Sequence, residues 1–240
     1  VSSFSVVSPC AKQVAPMVTV SVEEKVEIPP GIENLEAFRA WTHSDAFPER
    51  GRIDFIGGRI EVDMQAEAMY SHGGVKAAIL RLLLNLVWDE DLGEIYTDRM
   101  RIASIPADLS TEPDVVYLSH RTLESDKVHL VPKANRDDEF VEIQGAVDMV
   151  AEIVSDSSVV KDNRRLPVAY FDAGVLEYWL IDARGDELLF QIHTRGQDAF
   201  QAVHVDSDGF QPSAVFSRNF QLLRSRNRRG HWQYELTTNA

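Results

Sequence analysis

Between Val147 and Asp182 the chain carries two almost continuous apolar runs, 147–154 and 175–182, separated by residues 155–174. A run too apolar to alternate has to be buried on both faces, which is the habit of a central strand in a largely parallel sheet. The segment between them reads as a helix over 157–173, opened by the capping residues Ser155, Asp156 and Ser157 and closed by Gly174. Pro167 interrupts that pattern, so either the first turns are irregular or the regular helix begins close to the proline. A strand, helix, strand crossover is right-handed, and it sets 147–154 and 175–181 parallel or nearly so. The expectation is an α/β protein, a mixed β-sheet core flanked by helices.

Other segments fit that frame. Leu35, Phe38 and Trp41 recur at three-residue spacing and predict a short amphipathic helix over 32–41. Residues 51–63 alternate around Gly57-Gly58, which predicts a hairpin. A second helix is expected over 68–88, with Gly73-Gly74 as an alternative start. Strands are expected at 94–102, 114–118, 188–193 and 200–205, and residues 119–146 read as a surface loop or excursion. The stretch from Phe216 adds short elements.

Composition narrows the function. The 240 residues, 44% hydrophobic, suffice for one domain with peripheral segments, and 24 basic against 38 acidic residues give a formal charge of −14. That balance excludes the broad basic face used for non-specific duplex binding, so nucleic acid has to meet a local patch or a bound cation. Cys10 is the single cysteine and has no partner for an internal disulfide. No run approaches the ~20 apolar residues of a membrane span; the expectation is a cytoplasmic protein without a membrane partner. Residues 1–29 read as a flexible leader, with Met17 as an alternative translation start.

Two carboxylates stand out. Asp114, in Thr111-Glu-Pro-Asp-Val-Val-Tyr-Leu118, and Glu152, in the first central run, each lie in or beside a buried apolar strand, where an ionised acid is costly unless a metal or cation compensates it. Lys161 follows Glu152 closely enough to join it. Carboxylates at hard-cation distance with a nearby lysine suit metal-assisted phosphodiester hydrolysis. Each residue also has a plainer role: Asp114 capping a turn after Pro113, Lys161 as a solvated lysine, Asp54 as a hairpin residue, His72 as a hydrogen-bonded structural histidine, Tyr178 and Trp179 as core. The basic stretch from Arg218 to Gly230 is either a solvated turn or a phosphate contact.

The run 147–158, the pair Lys161-Asp162, Tyr170 and the block Glu177-Tyr-Trp-Leu-Ile-Asp182 closely resemble the Uma-two family, a restriction-endonuclease-like branch of the PD-(D/E)XK nuclease superfamily. Pro113-Asp114 matches its Pro-Asp motif, residues 53–60 resemble its early acidic hairpin, and His72 falls where the family often has histidine. The likeness covers about residues 33–224; it implies a nuclease-like domain over 30–224 and leaves 225–240 as a C-terminal tail. It further implies one or two Mg²⁺ or Mn²⁺ ions held by Asp114 and Glu152, an outer carboxylate from Asp54, and a catalytic set of Asp114, Glu152 and Lys161. The family's usual lysine four residues before the tyrosine is Leu166 here, with Lys161, Arg164 or Arg165 as substitutes.

Three functions are carried forward: a metal-dependent DNA endonuclease of restriction type, a catalytically silent nuclease fold that binds nucleic acid or protein, and a homodimeric assembly module.

Overall fold

The apolar runs 147–154 and 175–182 each contain a strand, Met149–Ile153 and Glu177–Asp182, and the two pair in parallel, Glu177 opposite Met149 through Ile181 opposite Ile153. A computed structural model describes residues 26–134 and 136–239. In chain order it runs α1 (Leu35–Thr42), β1 (Arg52–Ile56), β2 (Arg59–Asp63), a π-helical turn (Met69–Gly74) leading into α2 (Val75–Asp89), β3 (Gly93–Thr97), β4 (Arg101–Ser104), β5 (Leu109–Thr111), β6 (Val115–Ser119), α3 (His120–Leu123), β7 (Val128–Lys133) and β8 (Arg136–Gly145). It continues through β9 (Met149–Ile153), a second π-helical turn (Lys161–Arg165) leading into α4 (Leu166–Asp172), β10 (Glu177–Asp182), β11 (Leu189–Arg195), β12 (Phe200–Ala202), β13 (Gln211–Ser213), β14 (Arg218–Arg226) and β15 (Trp232–Asn239). The leader expected at 1–29, with Cys10 and Met17, lies outside the described residues except for 26–29.

The strands form two six-stranded mixed sheets and one of three strands. The central sheet has the order β12-β11-β10-β9-β6-β3, the second β2-β1-β5-β4-β8-β7, and the third β13-β14-β15. Alternation in the central sheet divides the core. Val115, Tyr117, Met149, Ala151, Ile153, Trp179 and Ile181 face α2 and the third sheet. Val116, Leu118, Val150, Val154, Tyr178 and Leu180 face the opposite way, against α4 and the second sheet's Ile56, Ile102, Leu109 and Ile143. The central sheet is thus covered on both sides, as its near-continuous apolar strands require.

Several expectations are met and others corrected. The helix expected over 32–41 forms but begins at Leu35, where Asn34 caps it by accepting from the Ala37 amide at 2.9 Å, and the hairpin turns through Gly57 and Gly58 at φ 54° and 76°. The strand expected over 94–102 is instead two strands in different sheets, because Asp98 and Arg99 take φ of 34° and 63° and redirect the chain. The supposed loop 119–146 contains α3, β7 and β8. The helix expected over 157–173 begins as regular α-helix only at Leu166, with Pro167 in its first turn, where its missing N–H costs nothing. Residues 225–239, read as a tail, mostly continue β14 and form β15, and Leu236 is buried. No helix among the described residues is long and apolar enough to cross a membrane.

Candidate metal centre

Parity along the strands assembles the site. Glu152 shares the face of Val150 and Val154, and Asp114, one step beyond the pair Val115 with Ala151, stands opposite it across β6 and β9. On β1, Ile53 and Phe55 pack toward α1, so Arg52 and Asp54 face the other way with Ile56, into the space between the two large sheets. The three carboxylates therefore line one interlayer space, and each is about 1% exposed or less.

Asp114 is the hub. One oxygen, Oδ1, lies 2.8 Å from Arg52 Nη2 and 3.2 Å from Lys76 Nζ. The other, Oδ2, accepts from the Ile153 amide at 2.8 Å and lies 3.3 Å from His72 Nε2. Burial opposes its charge, but the His72 contact and the fields of Arg52 and Lys76 prevail and hold the carboxyl well below the usual carboxylate range. Arg52 answers in kind: burial works against its charge, and the fields of Asp114, Glu152 and Asp54 outweigh it.

Glu152 behaves in the opposite way. Burial first, and then the charges of Asp114 and Asp162, push its carboxyl well above the ordinary value. Its one direct side-chain partner among the described residues is the Tyr170 hydroxyl, which donates to Oε1. The same burial and the nearby Glu152 raise the Tyr170 phenol. Lys161 joins Asp54 rather than Glu152, with Nζ 2.8 Å from Oδ2. Burial pulls Lys161 down, yet Asp54 and Glu152 keep it charged; for Asp54 burial pulls up, and Lys161 and Arg101 overcome it. Beside them Asp162 is pushed up to about 6, mainly by burial, and its Oδ1 is buried without a hydrogen bond.

Beside this buried set opens a cavity of about 530 Å³, lined by Arg52, Glu67, His72, Asp98, Arg99 and Ser155 among others. Asp54, Asp114, Glu152 and Lys161 are not in its lining. Two lining side chains link cavity and acids: Arg52, on Asp114 Oδ1, and His72, buried itself, with Nε2 toward Asp114 and Nδ1 3.0 Å from Glu67 Oε2. That Nδ1 lies close to a carboxylate but makes no directed hydrogen bond. Ligand atoms of Glu67, His72 and Asp114 all lie within 4.8 Å of one another, a spacing that one cation can bridge. Two carboxylates and an imidazole with an unused buried nitrogen are a donor set that fits a divalent ion of the Mn²⁺ kind.

Asp54, Asp114, Glu152 and Lys161 lie in one neighbourhood, in two tiers, but the group of three close enough to share an ion among the described residues is Glu67, His72 and Asp114, not the expected Asp114, Glu152 and Asp54. Asp114 belongs to both tiers, Glu152, Asp54 and Lys161 to the inner one. Of the three basic candidates after Glu152, Lys161 reaches an acid of the site, Arg165 pairs with Glu61 at 2.9 Å, and Arg164 is exposed. Leu166 is core. Sequence reasoning missed Arg52, Glu67 and Lys76. Arg52 could have been read from sharing the parity of Asp54, and Lys76 from following His72 by four residues in a helical pattern. Glu67, in an irregular stretch, carries no such signal.

The Uma2 family, described as "Putative restriction endonuclease", matches residues 35–225. A crystal structure of a putative nuclease belonging to DUF820 from Anabaena variabilis is similar in fold, with a TM-score of 0.53 and 17% identity over 77% of this chain and 90% of that one. No curated protein matches the chain.

Proposed function

The chain belongs to the Uma2 family, and from that premise we propose that it is a metal-dependent DNA endonuclease whose ion is held at Asp114. The observation that carries this reading is the position of Asp114: it stands opposite Glu152 across β6 and β9, bonded to the neighbouring Ile153 amide, and close enough to the cavity-facing His72 and Glu67 to share an ion with them. Asp114, His72 and Glu67 would hold the ion, with Glu152 behind them. Bound there, Mn²⁺ or Mg²⁺ supplies a Lewis acid for the scissile phosphate and an acidified water.

The protein groups divide the remaining work. Lys161, kept charged by Asp54, is a fixed cation and not a base at neutral pH. Its part is to stabilise negative charge and orient the inner acids. Arg52 lies in the cavity wall with its guanidinium on Asp114. Its planar fork matches phosphate oxygens, so it is the group best placed to bind the substrate's backbone. Tyr170 remains a neutral phenol and pins Glu152 through its hydroxyl.

One observation favours a second reading, a nuclease fold retained for binding alone. Arg52, Lys76 and Lys161 already compensate Asp114 and Asp54. Cleavage separates the two. With supercoiled plasmid and Mn²⁺ or Mg²⁺, the wild type is expected to nick or linearise DNA, while Asp114→Asn and Glu152→Gln lose at least about a hundredfold in rate, the order expected when a group that stabilises developing charge is removed. A wild type inactive on plasmid, single-stranded and branched DNA, or variants as active as the wild type, overturns the endonuclease reading.

A further inference from the structure

From Arg218 to Tyr234 the sequence holds five arginines, Arg218, Arg224, Arg226, Arg228 and Arg229, and no acid, in a chain of formal charge −14. The structure puts this stretch on β14, the following turn and the start of β15. Phe220, Leu222 and Leu236 bury the root of that hairpin against the central sheet, so its outer end is carried on a fixed support. Near that end, the guanidinium groups of Arg224 and Arg226 lie 4.0 and 3.3 Å from the centre of the Trp232 ring. Arg228 and Arg229 project from the turn, exposed, and form no ion pair among the described residues. Arg218, at the root, pairs with Glu90, and Arg224 donates to the carbonyls of Gly185 and Asp186; Arg226, like Arg228 and Arg229, is exposed at the outer end without an ion pair among the described residues, an arrangement that favours a polyanion.

The hairpin is also tied to the candidate centre. The His231 ring stacks on Tyr70 with centroids 4.5 Å apart and planes at 14°. Tyr70 lies in the same π-helical turn as Ser71 and His72, which line the cavity. The hairpin turn thus adjoins the π-helical turn that lines the cavity.

We propose that the β14–β15 hairpin is a duplex-DNA-binding arm, gripping the phosphate backbone through Arg226, Arg228 and Arg229 and guiding the duplex to the cavity. Charge complementarity selects this occupant: phosphate contacts are independent of sequence, and a fixed row of arginines suits a regularly charged duplex. The inference rests on the nuclease reading for its choice of DNA, but its test is separable from cleavage.

The test is fluorescence anisotropy of the full chain with a short labelled duplex, in EDTA, over a salt series. Arg228→Ala/Arg229→Ala is compared with Arg121→Ala/Lys133→Ala, which removes the same charge from other exposed positions. The hairpin variant is expected to lose about tenfold in affinity at low salt and to flatten the log–log salt slope by about 2, close to one for each phosphate that the arm no longer neutralises. The control is expected to bind within about twofold of wild type. The proposal is overturned if the hairpin variant binds like wild type, if the control weakens as much, or if the wild type binds no duplex. It is also overturned if the variant changes only the oligomeric state or only RNA binding. Plasmid cleavage by the same preparations keeps the two claims apart: cutting that persists with unaffected duplex binding sinks the arm and leaves the nuclease standing, whereas absent binding together with absent cutting sinks both.

Discussion

At the scale of single residues, the centre holds acids that the fold treats differently. Asp114 is ionised and surrounded by donors, Glu152 is biased toward its neutral form, and Asp162 is pushed up to about 6 by burial. For Asp162 the native state prefers the protonated form, since its folded value exceeds the ordinary 3.8. Its contribution to stability is therefore fully present below pH 4 and is lost as pH rises through about 6. Asn, neutral at every pH, escapes that loss. Asp162→Asn is expected to raise unfolding free energy by up to about 3 kcal/mol at pH 8 and to change it little at pH 4, measured by urea denaturation at both. Equal effects at the two pH values contradict the assignment. The acids were legible in the sequence because a carboxylate inside Val-Ala-Glu-Ile-Val is too costly to be casual. Glu67 was not legible, since an acid in an irregular stretch is ordinary until folding places it beside His72.

Among elements, local chemistry announced some boundaries and hid others. Gly57-Gly58 and Pro167 act on backbone geometry through their own covalent structure, and each marks an element where the sequence suggested one, whereas Asn34, which caps α1 through its side chain, lies inside the helix expected over 32–41. The break between β3 and β4 is made by Asp98 and Arg99, neither glycine nor proline, so alternation alone ran straight across it. β8 was hidden for another reason. Residues 136–140 are exposed and mostly charged, leaving no apolar face to betray a strand. Gly93 opens β3 opposite Ser119 with φ 150°, and a Cβ there would overlap the Leu118 carbonyl oxygen. Gly93→Ala is expected to lower stability by about 3 kcal/mol or more, since backbone has to shift to relieve the overlap. Thermal unfolding reads the effect, and a melting temperature unchanged from wild type would count against this packing of β3 on β6.

For the whole molecule, two large sheets enclose the acids between them and a third sheet carries the basic hairpin. The fold class was legible because one strand, helix, strand unit with doubly buried strands admits few architectures. What the sequence did not disclose was the depth of the centre: the acids sit behind Arg52 and His72 rather than open to the cavity. That depth follows from packing between sheets distant in sequence, which no local pattern records. In the proposed function Asp114 is the shared ligand of a divalent metal centre. Calorimetric titration of Mn²⁺ into the wild type and Asp114→Asn reads that role without DNA or cleavage. Saturable binding by the wild type is expected, with at least about a tenfold weaker association in the variant, the loss expected when a carboxylate ligand or its immediate support is removed. A wild type that takes up no Mn²⁺, or a variant that titrates indistinguishably from it, rules that role out.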